Sequence, residues 1–237
     1  MGKAWHDNSR LPTHHQELST FPMLALIDYG SGNIRSVTNA LQHEGADVEL
    51  ISDPARLADA DGIVLPGVGA FGDCVRGLQA RGLWEPLAAW LAADRPFLGI
   101  CVGYQMLFEE SEESPGVRGF GFFGGKVKRF TTPGLKVPQI GWNQLDFTAP
   151  DHALWRGLPP QPHVYFVHSF FPEPTDPSVI TARTTYGEIF AASAARGHTA
   201  AVQFHPEKSQ AIGLAILRNF IASVPVRPGM SPGRNPP

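Results

Sequence analysis

The chain has 237 residues, a length that suits one large or two small domains and excludes three. Hydrophobic residues make up 43% of it, which is enough for a substantial core, and 19 basic against 22 acidic residues exclude the strongly basic surface of a nucleic-acid-binding protein. The apolar runs are far shorter than the roughly 20 residues that cross a membrane. We therefore expect a globular protein with no nucleic acid and no membrane among its partners.

The cysteine count predicts the cellular compartment, and the composition of the two chain ends predicts the limits of the folded domain. Cys74 and Cys101 cannot form a disulfide scaffold and lack zinc-ligand spacing, which predicts a cytoplasmic protein without a metal or cofactor. Residues 1–22 are polar and lack the apolar stretch of a signal peptide, so we expect a loose N-terminal extension. Residues 224–237 are rich in proline and predict a disordered tail. The folded domain should span residues 23–223.

The first half of this domain alternates strand-length apolar runs with helical patterns. The predicted strands and helices, in chain order, are strand 23–28, helix from Ile34 to Leu41, strands 48–52 and 62–65, helices 73–80 and 84–93, strand 96–100 and a helix after Cys101. Such alternation favours a parallel, doubly wound sheet, which binds its ligands at the carboxyl ends of the strands.

The second half contains short apolar runs separated by Pro- and Gly-rich turns. These runs, most of which we expect to be antiparallel strands, are 127–128, 137–140, 163–170, 179–183, 189–194 and 199–204. A hairpin signal lies at 195–198, and helical spacing from Ala211 to Ile221 predicts a closing helix. The predicted fold class is therefore α/β, doubly wound, with a mostly parallel central sheet and an antiparallel C-terminal extension.

Cys101 lies in the sequence setting of a nucleophile. Gly99-Ile100-Cys101-Val102-Gly103 follows an apolar run and precedes a helical pattern, which is the strand-turn-helix context of a nucleophile elbow. The helix N-terminus supplies positive partial charge that stabilises a thiolate. The alternative is a small core residue. Cys74 has no such setting, and we interpret it as a core or surface thiol.

His205 and Glu207 offer the base and the orienting group that a nucleophilic cysteine needs. Phe204-His205-Pro206-Glu207 directly follows a predicted strand, and in an extended segment residues two apart point to the same side. Glu207 can then hold one ring nitrogen of His205 while the other faces the thiol. Taken alone, the pair is better explained as a buried histidine and a carboxylate at a helix entry. Together with the elbow, it predicts a catalytic triad.

Acyl transfer also needs donors for an oxyanion. The N–H of Val102, which follows the nucleophile, is one candidate. Pro66-Gly67-Val68-Gly69 ends the neighbouring predicted strand at the same sheet edge, and we select the Val68 N–H, presented after its peptide reorients, as the second. An ordinary Pro-Gly turn remains the alternative for this loop.

Cys101, His205 and Glu207 lie in segments through which residues 23–223 resemble the class I glutamine amidotransferases. The closest similarity is to those glutaminase subunits that supply ammonia to a (β/α)8 cyclase in histidine biosynthesis. The segments that carry the resemblance, in chain order, are Asp28 to Asn33, Leu65 to Phe71, Gly99 to Gln105, Gly141 to Asn143, Tyr165 to Ser169 and Phe204 to Ser209.

The resemblance implies a flavodoxin-like three-layer fold and a defined chemistry. Cys101 would attack the side-chain amide of glutamine, releasing ammonia and leaving a glutamyl thioester that water cleaves to glutamate, with His205 moving the protons. The positions that border bound glutamine in the family match Gly67, Gly69, Gln105, Ser169 and Phe170.

The resemblance also implies a heterodimer with the cyclase subunit, into which ammonia passes shielded from water. The positions on the side that meets the cyclase match Trp142, Asn143, Tyr165 and Lys208. One nearby residue departs from the family pattern: Gln139 stands where the family usually has histidine.

Three other functions share these motifs or this fold. An amidotransferase that feeds another synthase, such as one for surface-sugar amidation, can carry the same segments. A non-catalytic scaffold or regulatory module can adopt the same fold, although an intact triad argues against it. A cysteine hydrolase of peptides can use the same elbow, and would act without a partner.

Overall fold

The computed structural model describes residues 21–226. Its first half is built as the sequence pattern predicts, from strands alternating with helices. These elements are β1 (Met23–Ile27), α1 (Ile34–His43), β2 (Asp47–Ile51), β3 (Gly62–Gly67), α2 (Phe71–Ala80), α3 (Trp84–Ala92), β4 (Phe97–Cys101) and α4 (Val102–Gln105).

The second half consists mostly of short strands and ends in one long helix. Its elements are β5 (Glu110–Ser111), β6 (Gly125–Arg129), β7 (Gln139–Gln144), β8 (Asp146–Phe147), β9 (His163–His168), β10 (Phe170–Pro174), β11 (Ile180–Tyr186), β12 (Glu188–Arg196), β13 (Thr199–Val202) and α5 (Gln210–Ser223).

Eight of the strands form the central sheet, in the order β2-β1-β3-β4-β13-β12-β11-β8. β2, β1, β3, β4 and β13 are parallel to one another, and β12, β11 and β8 continue the sheet beyond β13 with antiparallel pairing. This arrangement confirms the predicted α/β class with its antiparallel extension. The remaining strands pair outside this sheet, β10-β6-β5 as one sheet and β7-β9 as another.

β13 pairs with a different strand on each of its edges, and the sequence pattern predicts only one of these pairings. It forms the predicted hairpin with β12, in which Arg196 pairs with Thr199, but its other edge pairs in parallel with β4, Val202 lying beside Ile100. Parallel pairing aligns the carboxyl ends of β4 and β13 at one edge of the sheet. The segment after β13 is thereby brought next to Cys101.

The predicted helix after Cys101 is much shorter than its propensity suggests. α4 ends at Gln105, and the next three residues, Met106, Leu107 and Phe108, are all fully buried. These three side chains pack into the core outside the helix, and the chain continues to β5 at Glu110.

Two further boundaries differ from the sequence pattern. The apolar run 163–170 is divided at Ser169 into β9 and β10. The predicted tail starts at residue 224, whereas the Val224 side chain is buried beside Gly62. Residues 1–20 of the predicted extension and 227–237 of the predicted tail lie outside the described residues.

Candidate active site

Cys101 occupies a sharp turn between β4 and α4. Its backbone has φ 55° and ψ −109°, a conformation that non-glycine residues rarely adopt and that persists only where the surroundings enforce it. The surroundings are close: a Cβ added to Gly103 would lie 1.9 Å from the Leu65 carbonyl oxygen of β3. The predicted strand-turn-helix geometry is therefore present, and only glycine fits at position 103.

His205 and Glu207 form a buried pair beside this turn. His205 Nδ1 lies 2.8 Å from Glu207 Oε1, and both side chains are almost wholly inaccessible to solvent. Glu207 lies in a short 3-10 turn, Pro206–Lys208, and not in the extended segment predicted for it, because Pro206 starts the turn. Asn33 Nδ2 donates to the same Glu207 oxygen over 3.1 Å, which fixes the carboxylate from its other side.

The electrostatics of the pair favour a charged imidazole. Burial by itself lowers the pKa of His205, but the adjacent Cys101 sulfur and the Glu207 carboxylate outweigh burial and raise that pKa to about 10. Burial raises the pKa of Glu207, but the bonds from His205 and Asn33 outweigh it and leave that pKa below its ordinary value. A histidinium between a thiol and a carboxylate is the arrangement that stabilises a thiolate at Cys101.

A pocket of about 460 Å³ opens onto this group. His205 and Cys101 both line this pocket. The sequence-predicted residues that line it are Cys101, His205, Val68, Gly69, Val102, Gln105, Ser169, Phe170 and Lys208. Glu207 contacts His205 from outside this lining, and Gly67 is the last residue of β3, directly before Val68.

The loop after β3 packs closely against the start of α4. A Cβ on Gly67 would lie 2.8 Å from Val102 Cβ and 2.9 Å from the Gly103 nitrogen, so glycine lets this loop approach the start of α4. Within residues 21–226 the Val68 N–H donates to no protein acceptor. Val102 and Val68 both line the pocket, and their role as oxyanion donors stays a prediction.

Gln203 is a site residue that the sequence reasoning missed. Its Nε2 lies 3.7 Å from Cys101 Sγ, and its Oε1 accepts a bond of 3.1 Å from Gln105 Nε2. Because Gln105 Nε2 also donates to the Phe170 carbonyl, at 2.9 Å, the Gln105 oxygen is the atom left to accept from a ligand. Gln203 precedes His205 by two residues, so strand alternation was the signal that could have found it.

His168 is a second residue missed from sequence. Burial lowers its pKa to about 3, so the ring is neutral, and Nδ1 donates to the Phe170 carbonyl over 2.7 Å. This bond leaves Nε2 as an acceptor, and Nε2 has no protein partner within the described part of the chain. The neutral ring fixes the loop that carries Ser169 and Phe170 at the pocket.

We expect substitution of Gln203 by glutamate to depress the reactivity of Cys101. A carboxylate in place of the amide puts a negative charge about 3.7 Å from Sγ. Its repulsion disfavours the negatively charged thiolate. The rate of alkylation by iodoacetamide at neutral pH should fall at least about tenfold. Gln79→Glu, on the exposed side of α2, is the matched control. Equal alkylation rates in Gln203→Glu and wild type would show that the amide does not act on the sulfur.

Of the residues predicted to face a partner, Trp142, Asn143 and Tyr165 lie on β7 and β9, whereas Lys208 lies in the 3-10 turn after β13 and lines the pocket. Trp142 is 45% exposed and packs edge-on against Tyr165 with 5.9 Å between ring centroids, and Ile140 beside them is 62% exposed. Asn143 is instead turned inward, donating to the Thr185 carbonyl and accepting from buried Gln139 at 2.7 Å. Gln139 therefore supports Asn143 and does not itself reach the surface.

Residues 21–226 contain no group of three acidic, histidine or cysteine side chains placed to hold a metal ion. No helix in the same range is long and apolar enough to cross a membrane.

Comparison with known proteins agrees with this geometry. The family model "Glutamine amidotransferase class-I" matches residues 25–224. The chain is 50% identical over 204 residues to "Imidazole glycerol phosphate synthase subunit HisH" of Microcystis aeruginosa, covering 85% of this chain and 96% of the relative. It is 47% identical over 207 residues to the HisH subunit of Methylococcus capsulatus, covering 84% and 95%.

Solved structures show the same fold at low sequence identity. A putative GMP synthase component from Thermoplasma acidophilum superimposes with a TM-score of 0.64 at 22% identity, over 86% of this chain and 94% of the other. PurLQS from Thermotoga maritima gives a TM-score of 0.66 at 18% identity, over 86% and 97%. The chain thus belongs to the class I glutamine amidotransferases, and within them to the HisH family.

Proposed function

We propose that this chain is the glutaminase subunit of an imidazole glycerol phosphate synthase, and that Cys101, His205 and Glu207 are its catalytic residues. The observation that carries the residue assignment is the buried His205–Glu207 pair, 2.8 Å apart, beside a cysteine held in an elbow conformation. The HisH relatives, about half identical over nearly their whole length, support the choice of synthase.

Acylation starts with attack of the Cys101 thiolate on the side-chain carbonyl carbon of glutamine. The carbonyl oxygen becomes an oxyanion that the Val68 and Val102 N–H groups stabilise. His205 donates its proton to the departing nitrogen, so that the C–N bond breaks, ammonia leaves and a glutamyl thioester remains. Glu207 holds Nδ1 throughout and keeps Nε2 directed at the reacting atoms.

Deacylation returns the enzyme to its starting state. Neutral His205 takes a proton from water, the hydroxide attacks the thioester, and the C–S bond breaks to give glutamate and the thiolate. Gly67, Gly69, Gln105, Ser169 and Phe170 are proposed to position glutamine for both steps. Of these, Gln105 lines the pocket with its Nε2 bonded to Phe170 and Gln203, which leaves its amide oxygen to accept from the substrate. A free thiolate requires a reducing compartment, so the proposal places the enzyme in the cytoplasm.

Ammonia needs protection once released, because at neutral pH it is mostly protonated and no longer a nucleophile. We assign the exposed apolar face of Trp142, Tyr165 and Ile140, with Asn143 and Lys208 nearby, to a (β/α)8 cyclase subunit in a heterodimer. That cyclase would use the ammonia to make imidazole glycerol phosphate and an aminoimidazole carboxamide ribotide. Coupling follows if the Val68 peptide turns productively only when the cyclase is loaded.

Glutamate release from glutamine tests the assignment directly. We expect low release from the chain alone and release at least about tenfold faster with the cyclase and its nucleotide ligand, because an idle glutaminase wastes glutamine. The cyclase without ligand is the control for simple complex formation. High activity without a partner would indicate a free-standing hydrolase, and no activity in any mixture would indicate a different synthase or a non-catalytic module.

A further inference from the structure

The segment between β1 and α1 directs three alternate side chains at the site. Tyr29 OH donates to the Pro66 carbonyl over 3.0 Å, Ser31 Oγ donates to the Val68 carbonyl, and Asn33 reaches Glu207. None of the chemical steps proposed above uses Tyr29 or Ser31. Their acceptors lie at the end of β3 and in the loop that follows it, on either side of the Val68 N–H.

Cys74 adds a second contact to the same carbonyl. Its Sγ lies 3.5 Å from the Val68 oxygen and 3.9 Å from Ser31 Oγ, and its side chain is fully buried beneath the loop. Burial raises the pKa of Cys74, and burial likewise raises the pKa of Tyr29. Both groups therefore keep their protons at neutral pH and act as donors.

These bonds hold the first and the third of three consecutive peptide groups and leave the middle one unheld. The Pro66 carbonyl belongs to the Pro66–Gly67 peptide, and the Val68 carbonyl to the Val68–Gly69 peptide. Between them lies the Gly67–Val68 peptide, whose N–H donates to no protein group in residues 21–226. A single peptide rotates through ψ of the residue before it and φ of the residue after it, and glycine at position 67 widens that rotation.

We propose that Tyr29, Ser31 and Cys74 form a carbonyl clamp that holds the neighbours of the Gly67–Val68 peptide, and that Ser31 is a positioning residue for the Val68 N–H. The proposal rests on the glutaminase function proposed above. The order of strands supports it: β3 lies between β1 and β4, so the clamp pulls carbonyls towards β1 while Cys101 lies on the β4 side. The clamp confines movement to the one peptide that presents the oxyanion donor.

The kinetic test is Ser31→Ala in the complex with the loaded cyclase. Without the hydroxyl the Val68–Gly69 peptide moves more freely, and the oxyanion donor is present but misplaced. Since complete removal of such a donor costs about 10²–10³ in rate, we expect kcat for glutamate release to fall about tenfold with KM nearly unchanged. Ser31→Thr, which keeps the hydroxyl, should restore the rate, and alkylation of Cys101 by iodoacetamide should stay at the wild-type rate.

Hydrogen–deuterium exchange of the full-length chain gives a readout that needs no catalysis. In Ser31→Ala the amides of fragment 66–70 should exchange about tenfold faster, while fragments elsewhere keep their rates. Ser223→Ala is the matched control, because its hydroxyl also donates to a carbonyl, that of Phe220, but at the end of α5. Acceleration in this control too would make the effect nonspecific and overturn the clamp.

The two readouts separate the clamp from the glutaminase assignment. Unchanged exchange of fragment 66–70 overturns the clamp, whatever the activity. Faster exchange with an unchanged kcat overturns the role of Ser31 in positioning the donor. If the rate of Cys101 alkylation in Ser31→Ala falls by the same factor as kcat, the positioning role of Ser31 is overturned as well, because the damage would then lie in the triad. An inactive wild-type complex would refute the glutaminase function, and the exchange result would still decide the clamp.

Discussion

Replacing Cys101 with alanine abolishes glutamine-dependent synthesis while ammonia added from outside still supports the cyclase: this is the result we expect for the complex. The thiolate forms the covalent bond to the substrate, and no other group in the pocket can replace it, since Cys74 lies beneath the loop and is fully buried. Loss of a covalent nucleophile typically removes on the order of 10⁶ in kcat. Glutamate release from glutamine, measured in the complex, should fall to the level without enzyme.

Ammonia-dependent turnover is the internal control of this experiment. It shows that the alanine variant is folded and seated on the cyclase, because free ammonia bypasses only the glutaminase step. Glutamine-dependent turnover near the wild-type rate would show that the nucleophile is wrongly assigned. Loss of both activities would place the effect in assembly and not in acyl transfer, which Cys101→Ser, with nearly unchanged volume, would then confirm.

The elbow could be predicted from sequence because its determinants are local. A buried strand of five residues, a cysteine flanked by glycines and a following helix occur within a short stretch, and each makes the same prediction. The pairing of His205 with Glu207 was also predicted, although its local geometry was not. A proline directly after His205 turns the chain into a 3-10 turn, and the two-residue spacing places both side chains together in that geometry as well.

Contacts that depend on strand order could not be predicted in the same way. Gln203 reaches Cys101 only because β13 pairs in parallel with β4, a pairing between segments about a hundred residues apart along the chain. The run that contains β13 was grouped with antiparallel strands, since a hairpin signal reveals one edge of a strand and not the other. The clamp likewise combines two residues that follow β1, Tyr29 and Ser31, with Cys74 from α2.

The site is assembled at the carboxyl ends of four parallel strands, which explains why so many short segments contribute to it. Asn33 and two members of the clamp follow β1, the Val68 loop follows β3, Cys101 ends β4, and β13 leads to His205. Because neighbouring parallel strands end side by side, residues far apart in sequence are brought within hydrogen-bond distance. Substitutions that shift one strand end relative to the next should therefore damage catalysis before they unfold the domain.

Gly103→Ala tests most directly whether catalysis depends on the relative positions of the strand ends. The new Cβ would lie 1.9 Å from the Leu65 oxygen, so the start of α4 and the end of β3 must separate by more than 1 Å. The Val102 N–H and Cys101 move with them, and displacements of that size cost about 10²-fold in rate. We expect glutamate release in the complex to fall by about that factor and the free energy of unfolding by roughly 3 kcal/mol, seen as a melting temperature about 6–12 °C lower.

Gly62→Ala provides the matched control on the same strand, β3. There an added Cβ would lie 3.0 Å from Leu24 Cδ2 and 3.2 Å from a Val224 methyl, ends of side chains that can shift by a few tenths of an ångström. Because no backbone atom obstructs it, this variant should keep nearly the wild-type rate and lose less stability than Gly103→Ala. Equal damage in the two variants would mean that glycine at 103 serves general packing, and that the approach of α4 to the Leu65 carbonyl does not set the position of the nucleophile.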